Sequence, residues 1–238
     1  MIQVSGKQFP TTRWSLIASS RHASAPDCGP ALETLCSTYW YPLYSYARRA
    51  GADFETAQDL TQGFFAKLLE KNYLDAFNRE RGRFRTFLLA GFRHYAANER
   101  DRERTQKRGC GQIHLPLGVQ DGERSYRLEP SHDLTPEKLY ERRWAMALLE
   151  RALTRLKQEA GPSSQFDRLR VFLAGDSCSI SYKEMARTLG TSEGAIKTAV
   201  HRLRRRFGKL LREEVADTVA GPEDADDELR YLLSLLSL

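Results

Sequence analysis

Tyr182-Lys183-Glu184-Met185-Ala186-Arg187-Thr188-Leu189-Gly190-Thr191-Ser192-Glu193-Gly194-Ala195-Ile196-Lys197 has the logic of two helices joined by a tight turn. Ala186 is small where the helices must cross closely. Gly190 can take the left-handed backbone that a sharp turn needs, and Ser192 is a natural N-cap for the second helix. Beyond the turn, Ile196, Val200, Leu203 and Phe207 are spaced by four, three and four, so they share one inward stripe. The opposite face holds Thr198, His201, Arg202, Arg205 and Lys209, flanked by Lys197, and no acid occurs between Lys197 and Arg212. Such a helix fits the major groove, where Arg and Lys can pair with guanine acceptors.

Outward from this stretch, helical periodicity dominates and no useful strand alternation is found. Residues 31–50 carry Leu32, Leu35, Tyr39, Leu43, Tyr46 and Ala47 at helical spacing, with Pro42 as a kink or restart and Gly51 as the end. Asp53 is placed to cap a helix over 54–69, in which Gly63 costs about 1 kcal/mol relative to alanine. A turn over 78–82 leads to a short helix at 84–90 and a separate basic helix at 95–107. Residues 109–136 have turn composition and no period, so they read as a flexible linker. Pro136 opens a second helical block through Trp144, Leu148, Leu149, Leu153 and Leu156, broken at Gly161-Pro162. Further helices are expected at 165–174, Tyr182–Leu189 and 193–211. The reading is all-α: an N-terminal extension at 1–26, a helical domain at 27–108, the linker, a helix-turn-helix domain at 137–212, and a tail at 213–238.

The chain carries 37 basic and 31 acidic residues, and their placement says more than the net charge of +6. Ten bases fall between Arg79 and Arg108 against four acids, and seven between Lys197 and Arg212 against none. The sign then reverses through Glu213, Glu214, Asp217, Glu223, Asp224, Asp226, Asp227 and Glu228. Two basic segments point to a polyanion gripped twice. Cys28, Cys36, Cys110 and Cys178 form no CxxC pair, which suits free thiols in a reducing cytoplasm. Cys110 and His114 lack a second ligand pair, so no metal is expected. The opening residues lack the pattern of a signal peptide, and no apolar run reaches the roughly 18 residues of a membrane span. Nucleotide-loop, metalloprotease and serine-hydrolase signatures are absent, and Asp53 and Asp59 do not share a helix face, so no enzyme activity or cofactor is expected.

Three motifs, in order, resemble one family. Ala57-Gln58-Asp59-Leu60-Thr61-Gln62-Gly63-Phe64-Phe65 resembles the E-D-L-x-Q-E-x-F helix of bacterial sigma factors of the extracytoplasmic-function (ECF) group. Gly82-Arg83-Phe84-Arg85-Thr86-Phe87-Leu88 resembles that family's aromatic-basic melting segment, and 181–206 resembles its promoter-reading helix-turn-helix. The likeness covers 31–108 and 136–212. Phe9-Pro10-Thr11-Thr12-Arg13-Trp14 and the tail look like a planctomycete-type subgroup with an acidic, leucine-rich extension.

The resemblance implies a region 2-like domain that docks on core RNA polymerase and recognises the −10 promoter element. A region 4-like domain would read the −35 element. Asp59, Gln62, Phe65 and Leu69 match the polymerase-facing helix, although Gly63 stands where the family usually has an acid. Phe84 and Phe87 match the melting aromatics, and both also suit the core, Phe87 the more so. Arg83, Arg85 and Arg93 can follow a phosphate backbone, and aromatic faces beside them suit single-stranded DNA. His94 falls where many members have an asparagine near the flipped −10 base, and Asn98 and Arg102 continue that side. The −35 contacts map onto Lys197, Thr198, His201 and Arg202, with Arg205 on the same face. Partners are the polymerase and promoter DNA, with room for an anti-sigma or other regulatory protein, and without a membrane. The competing reading is a helix-turn-helix regulator of duplex DNA that never joins the polymerase.

Two terminal segments add expectations. Trp14, Leu16 and Ile17 favour docking of the N-terminal segment on the first domain. The tail is expected to form a short helix from Asp224 or Asp226 and to fold back on the second domain, drawn by Arg204, Arg205, Arg206 and Lys209. Regulation in cis is favoured there over a purely structural role.

Overall fold

A computed structural model describes residues 28–70, 83–105, 123, 126, 134–161, 164–174, 180–216, 218–219 and 224–236. The N-terminal segment with its Trp14 docking, most of the linker, and Cys110 and His114 lie outside the described residues. The elements are α1 (Cys28–Arg49), α2 (Phe54–Glu70), α3 (Phe84–Thr105), α4 (Pro136–Ala160), α5 (Ser164–Leu169) followed by a 3-10 segment (Arg170–Ala174), α6 (Tyr182–Leu189), α7 (Glu193–Ala216) and α8 (Asp224–Leu236). Among the described residues there is no strand, so the chain is all-α. It divides into two compact units, Met1–Ala147 with Ala216–Leu238, and Leu148–Val215. The unit boundary thus falls inside α4 rather than at 136, and α8 belongs with the first unit.

The first unit is built on α1, α2 and α3. Leu43, Tyr44, Ala57, Phe65, Leu68, Leu88 and Phe92 are buried in its core. Pro42 lies within α1 without ending it. Asp53 caps α2 by accepting from the Thr56 backbone N–H at 2.7 Å, and that bond holds its carboxyl below the usual range. The break expected between 90 and 95 does not occur. Phe84, Leu88, Phe92 and Ala96, four apart, keep one buried stripe in register through α3. The first half of α4 adds Tyr140, Trp144 and Ala145, and α8 adds Ala225, Leu232 and Leu235. The Tyr44 hydroxyl donates to Glu123, whose carboxylate also pairs with Arg48 at 3.2 Å, while Arg48 stacks over Tyr126 at 5.0 Å. Two residues read as flexible linker are therefore fastened to α1.

In the second unit, Leu169, Phe172, Met185, Ala186, Ile196 and Val200 form one cluster, with Tyr182, Leu189, Ala199 and Leu203 packed against it. The helix α7 continues past the expected end to Ala216. Its last turn is fastened by Arg155 to Glu213 at 2.6 Å and by Arg151 and Arg155 to Glu214, each at 3.0 Å. Glu213 and Glu214 are thus part of this unit and not the start of a tail.

Candidate nucleic-acid interface

The turn between α6 and α7 is assembled from local hydrogen bonds. Ser181 and Glu184 form a capping box: the Glu184 N–H donates to the Ser181 hydroxyl oxygen at 3.1 Å, and the Ser181 N–H donates to the Glu184 carboxylate at 2.9 Å. That acceptance lowers the Glu184 carboxyl below its usual value. Gly190 sits at φ 64°, and its N–H closes on Ala186 and Arg187 while Thr191 N–H reaches Ala186 O at 3.0 Å. A side chain at this φ would be strained, which is why glycine stands here. The Ser192 hydroxyl then accepts from Ala195 N–H at 3.2 Å and starts α7.

With Ile196 and Val200 buried, the same helix turns Lys197, Thr198, His201, Arg202, Arg205 and Lys209 outward, all exposed. Lys197 is engaged by Glu193 at 2.7 Å, four residues away on the helix, and this pairing raises the lysine and lowers the glutamate. Thr198 donates its hydroxyl to Gly194 O at 3.0 Å. The neighbouring Arg204 and Arg206 are half-buried and turned to other work: Arg204 donates to Phe172 O at 3.0 Å, and Arg206 forks onto Glu159 at 2.5 and 2.6 Å. Six sequence-selected residues thus share one outward face of a capped helix.

In the first unit, Arg83, Arg93, His94, Asn98 and Arg102 are exposed along α3 or at its start. His94, Asn98 and Arg102 are four apart and line one side. Arg93 lies 3.7 Å from Glu137, and Arg102 donates to Glu99 at 2.8 Å. Arg85 departs from expectation. Its side chain is 2% exposed, ion-paired with the fully buried Glu228 of α8, 3.9 Å from Glu141, and stacked over Trp144 at 4.3 Å and Tyr231 at 5.1 Å. Burial lowers its pKa, yet an arginine remains a cation at neutral pH. Arg83 shares the same carboxylate at 3.1 Å and stacks over Tyr231 at 5.6 Å, but stays 45% exposed. Arg85 as seen here does not meet solvent, so it has no access to a DNA phosphate in this conformation. Of the two aromatics, Phe84 rather than the favoured Phe87 is the core residue: it is buried edge-on to Tyr39 at 5.6 Å, and Phe87 is half-buried.

The residues expected to face the polymerase separate likewise. Asp59 is exposed, whereas Gln62 is 5% exposed and Phe65 is fully buried against Phe64. The side chain of Leu69 is outside the described residues. Of the three whose side chains are described, Asp59 alone is exposed. Gly63 has a local reason: a Cβ there would run into the hydroxyl of Tyr95 from α3. The sequence reading missed Glu141, Trp144, Glu228 and Tyr231, which surround Arg83 and Arg85. One signal was present: Glu228 interrupts the stripe Ala225, Leu232, Leu235 at a position where the period calls for an apolar residue.

The tail itself is corrected in place but not in form. The helix α8 starts at Asp224 as expected, yet it packs in the first unit rather than on the second. Among the described residues no group of three or more His, Cys, Asp or Glu could hold a metal ion, and no helix is long and apolar enough to cross a membrane. Burial pushes the Cys36 thiol up to about 11, which leaves it protonated and unreactive near neutral pH. Comparison with protein-family models, curated proteins and solved structures finds no match.

Proposed function

We propose that the chain is an ECF-type sigma factor, a cytoplasmic subunit that joins core RNA polymerase and directs it to particular promoters. The observation that carries this reading is the outward face of α7. Lys197, Thr198, His201, Arg202 and Arg205 stand exposed on a helix whose start is fixed by Gly190 and Ser192. Arg202 and Arg205 have the fork geometry for guanine O6 and N7, and Lys197 suits a phosphate. Support for a polymerase partner, beyond duplex binding alone, is the ordered likeness of the α2 and α3 motifs, with Asp59 exposed on α2 and Arg83, Arg93, His94, Asn98 and Arg102 exposed on or beside α3. In this reading the first unit handles the −10 element and the second unit reads the −35 element. The protein supplies recognition only, and the polymerase supplies the chemistry.

Run-off transcription with core polymerase and genomic DNA, with transcript starts sequenced, tests this directly. Initiation from a defined set of promoters with a shared −35 element is the expected result. Tight duplex binding without polymerase-dependent initiation would instead make the chain a helix-turn-helix regulator.

A further inference from the structure

The contact between α8 and the start of α3 is unusual in its chemistry. The inward stripe of α8 is Ala225, Glu228, Leu232 and Leu235, so a carboxylate sits among apolar neighbours with no exposure. It meets Arg85 and Arg83, while Tyr231 covers both guanidiniums and donates its hydroxyl to Glu141. Replacing a buried ion pair by apolar residues of similar volume is often neutral or stabilising. Simple core-building therefore gives little reason for a charge at this place. The set of partners is informative in another way. Two arginines beside a ring that stays when α8 is absent, Trp144 of α4, are what a single-stranded nucleic acid uses, the arginines for its phosphates and the ring for a base.

We infer that α8 is a built-in occupant of the strand-binding segment: Glu228 stands in for a backbone phosphate on Arg83 and Arg85, and α8 leaves when a single strand takes its place. The inference rests on the proposed role of this segment in strand separation and adds its regulation. Two features make the exchange feasible. Arg83 is 45% exposed, so an incoming phosphate has a cation to engage before Glu228 lets go. The helix has 13 residues, too few to be more than marginal by itself, so its order depends on this docking. A displaced α8 loses its structure along with its site.

Hydrogen exchange on the full wild-type chain, with and without a short oligodeoxythymidylate at saturation, reads the exchange directly. Amides of α8 should lose protection when the strand binds, while those of α6 keep theirs. Anisotropy of the same oligonucleotide, fluorescein-labelled, should show Glu228→Gln binding about tenfold tighter than wild type, the factor for freeing one charge-assisted contact. An Arg85→Met/Glu228→Leu chain, whose α8 is held by apolar contacts alone, should bind more weakly than Glu228→Gln. Unchanged α8 protection under a saturating strand would overturn the inference, as would equal affinity of wild type and a folded Glu228→Gln chain. The two proposals fail separately. A wild-type chain that releases α8 to the strand but supports no initiation keeps this inference and loses the sigma reading. Initiation with α8 protected throughout does the opposite.

Discussion

The helices α3 and α7 are both rich in arginine, and they dispose of their cations in opposite ways. On α7 the apolar stripe and the basic face are on opposite sides, so Arg202 and Arg205 stand in water while Ile196 and Val200 fill the core. At the start of α3 the pattern is folded inward: Arg85 is covered by Glu228, Trp144 and Tyr231, and Arg83 is half-covered. A run of bases therefore measures attraction for a polyanion only where the rest of the fold leaves them open. In the first unit, availability is decided by a helix encoded far along the chain.

The largest expected effect tests that contrast on stability. Arg85→Ala leaves the buried Glu228 with only the half-exposed Arg83 to pair with and should cost up to about 3–5 kcal/mol in urea denaturation. Arg205→Ala should stay within about 0.5 kcal/mol. Equal costs would erase the distinction between the two helices. On binding, the ranking reverses: Arg202→Ala should weaken promoter duplex binding by about 1–3 kcal/mol and relax preference at one base pair. Lys197→Ala should weaken all sequences alike and lower the salt slope by about one unit, seen in filter binding over a salt series.

A smaller effect compares glycines in the two units. Gly63→Ala runs into the Tyr95 hydroxyl and should destabilise, whereas Gly208→Ala in α7 meets nothing within 4 Å and should stabilise by up to about 1 kcal/mol. Adding Tyr95→Phe should recover the loss at Gly63, which thermal melts of the single and double variants would show.

Smallest is the response to acid. In the second unit Glu159, Glu184 and Glu193 are lowered by their hydrogen bonds from Arg206, Ser181 and Lys197. A lowered carboxyl takes its proton more readily in the unfolded chain, so its stabilisation is present above the ordinary glutamate value of 4.5 and fades as pH falls below it. Melting temperature should drop through that window. Glu184→Gln should flatten part of the drop.

The turn between α6 and α7 was readable from residues because its causes are neighbours, Gly190 with Ala186 and Ser192 with Ala195, whereas the Ser181–Glu184 box at the start of α6 went unread. The outward face of α7 followed from the same short range. What escaped the sequence lies at α3. The segments 84–90 and 95–107 read as separate, but the stripe from Phe84 to Ala96 carries one helix through both. Phe84, Phe87 and Arg85 could not be sorted into core and surface, since Tyr39, Trp144 and Glu228 make that choice from remote positions. The destination of α8 was misjudged for a related reason. Its acids had two basic segments to choose from, and charge alone does not name the one with Tyr140, Trp144 and Glu141 beside it.

The Tyr231–Glu141 bond joins residues 90 positions apart, and the Arg85–Glu228 pair spans still more of the chain. Translation therefore finishes α1, α2, α3 and α4 long before the residues of α8 emerge, at about 5–20 residues per second. Throughout that interval the nascent first unit lacks the carboxylate that Arg83 and Arg85 hold in the finished protein. Closing so long a loop is also a late, entropically taxed event in refolding, whereas the capped turn of α6 and α7 needs only local contacts. The age of the polypeptide thus sets how much of its positive charge is on view.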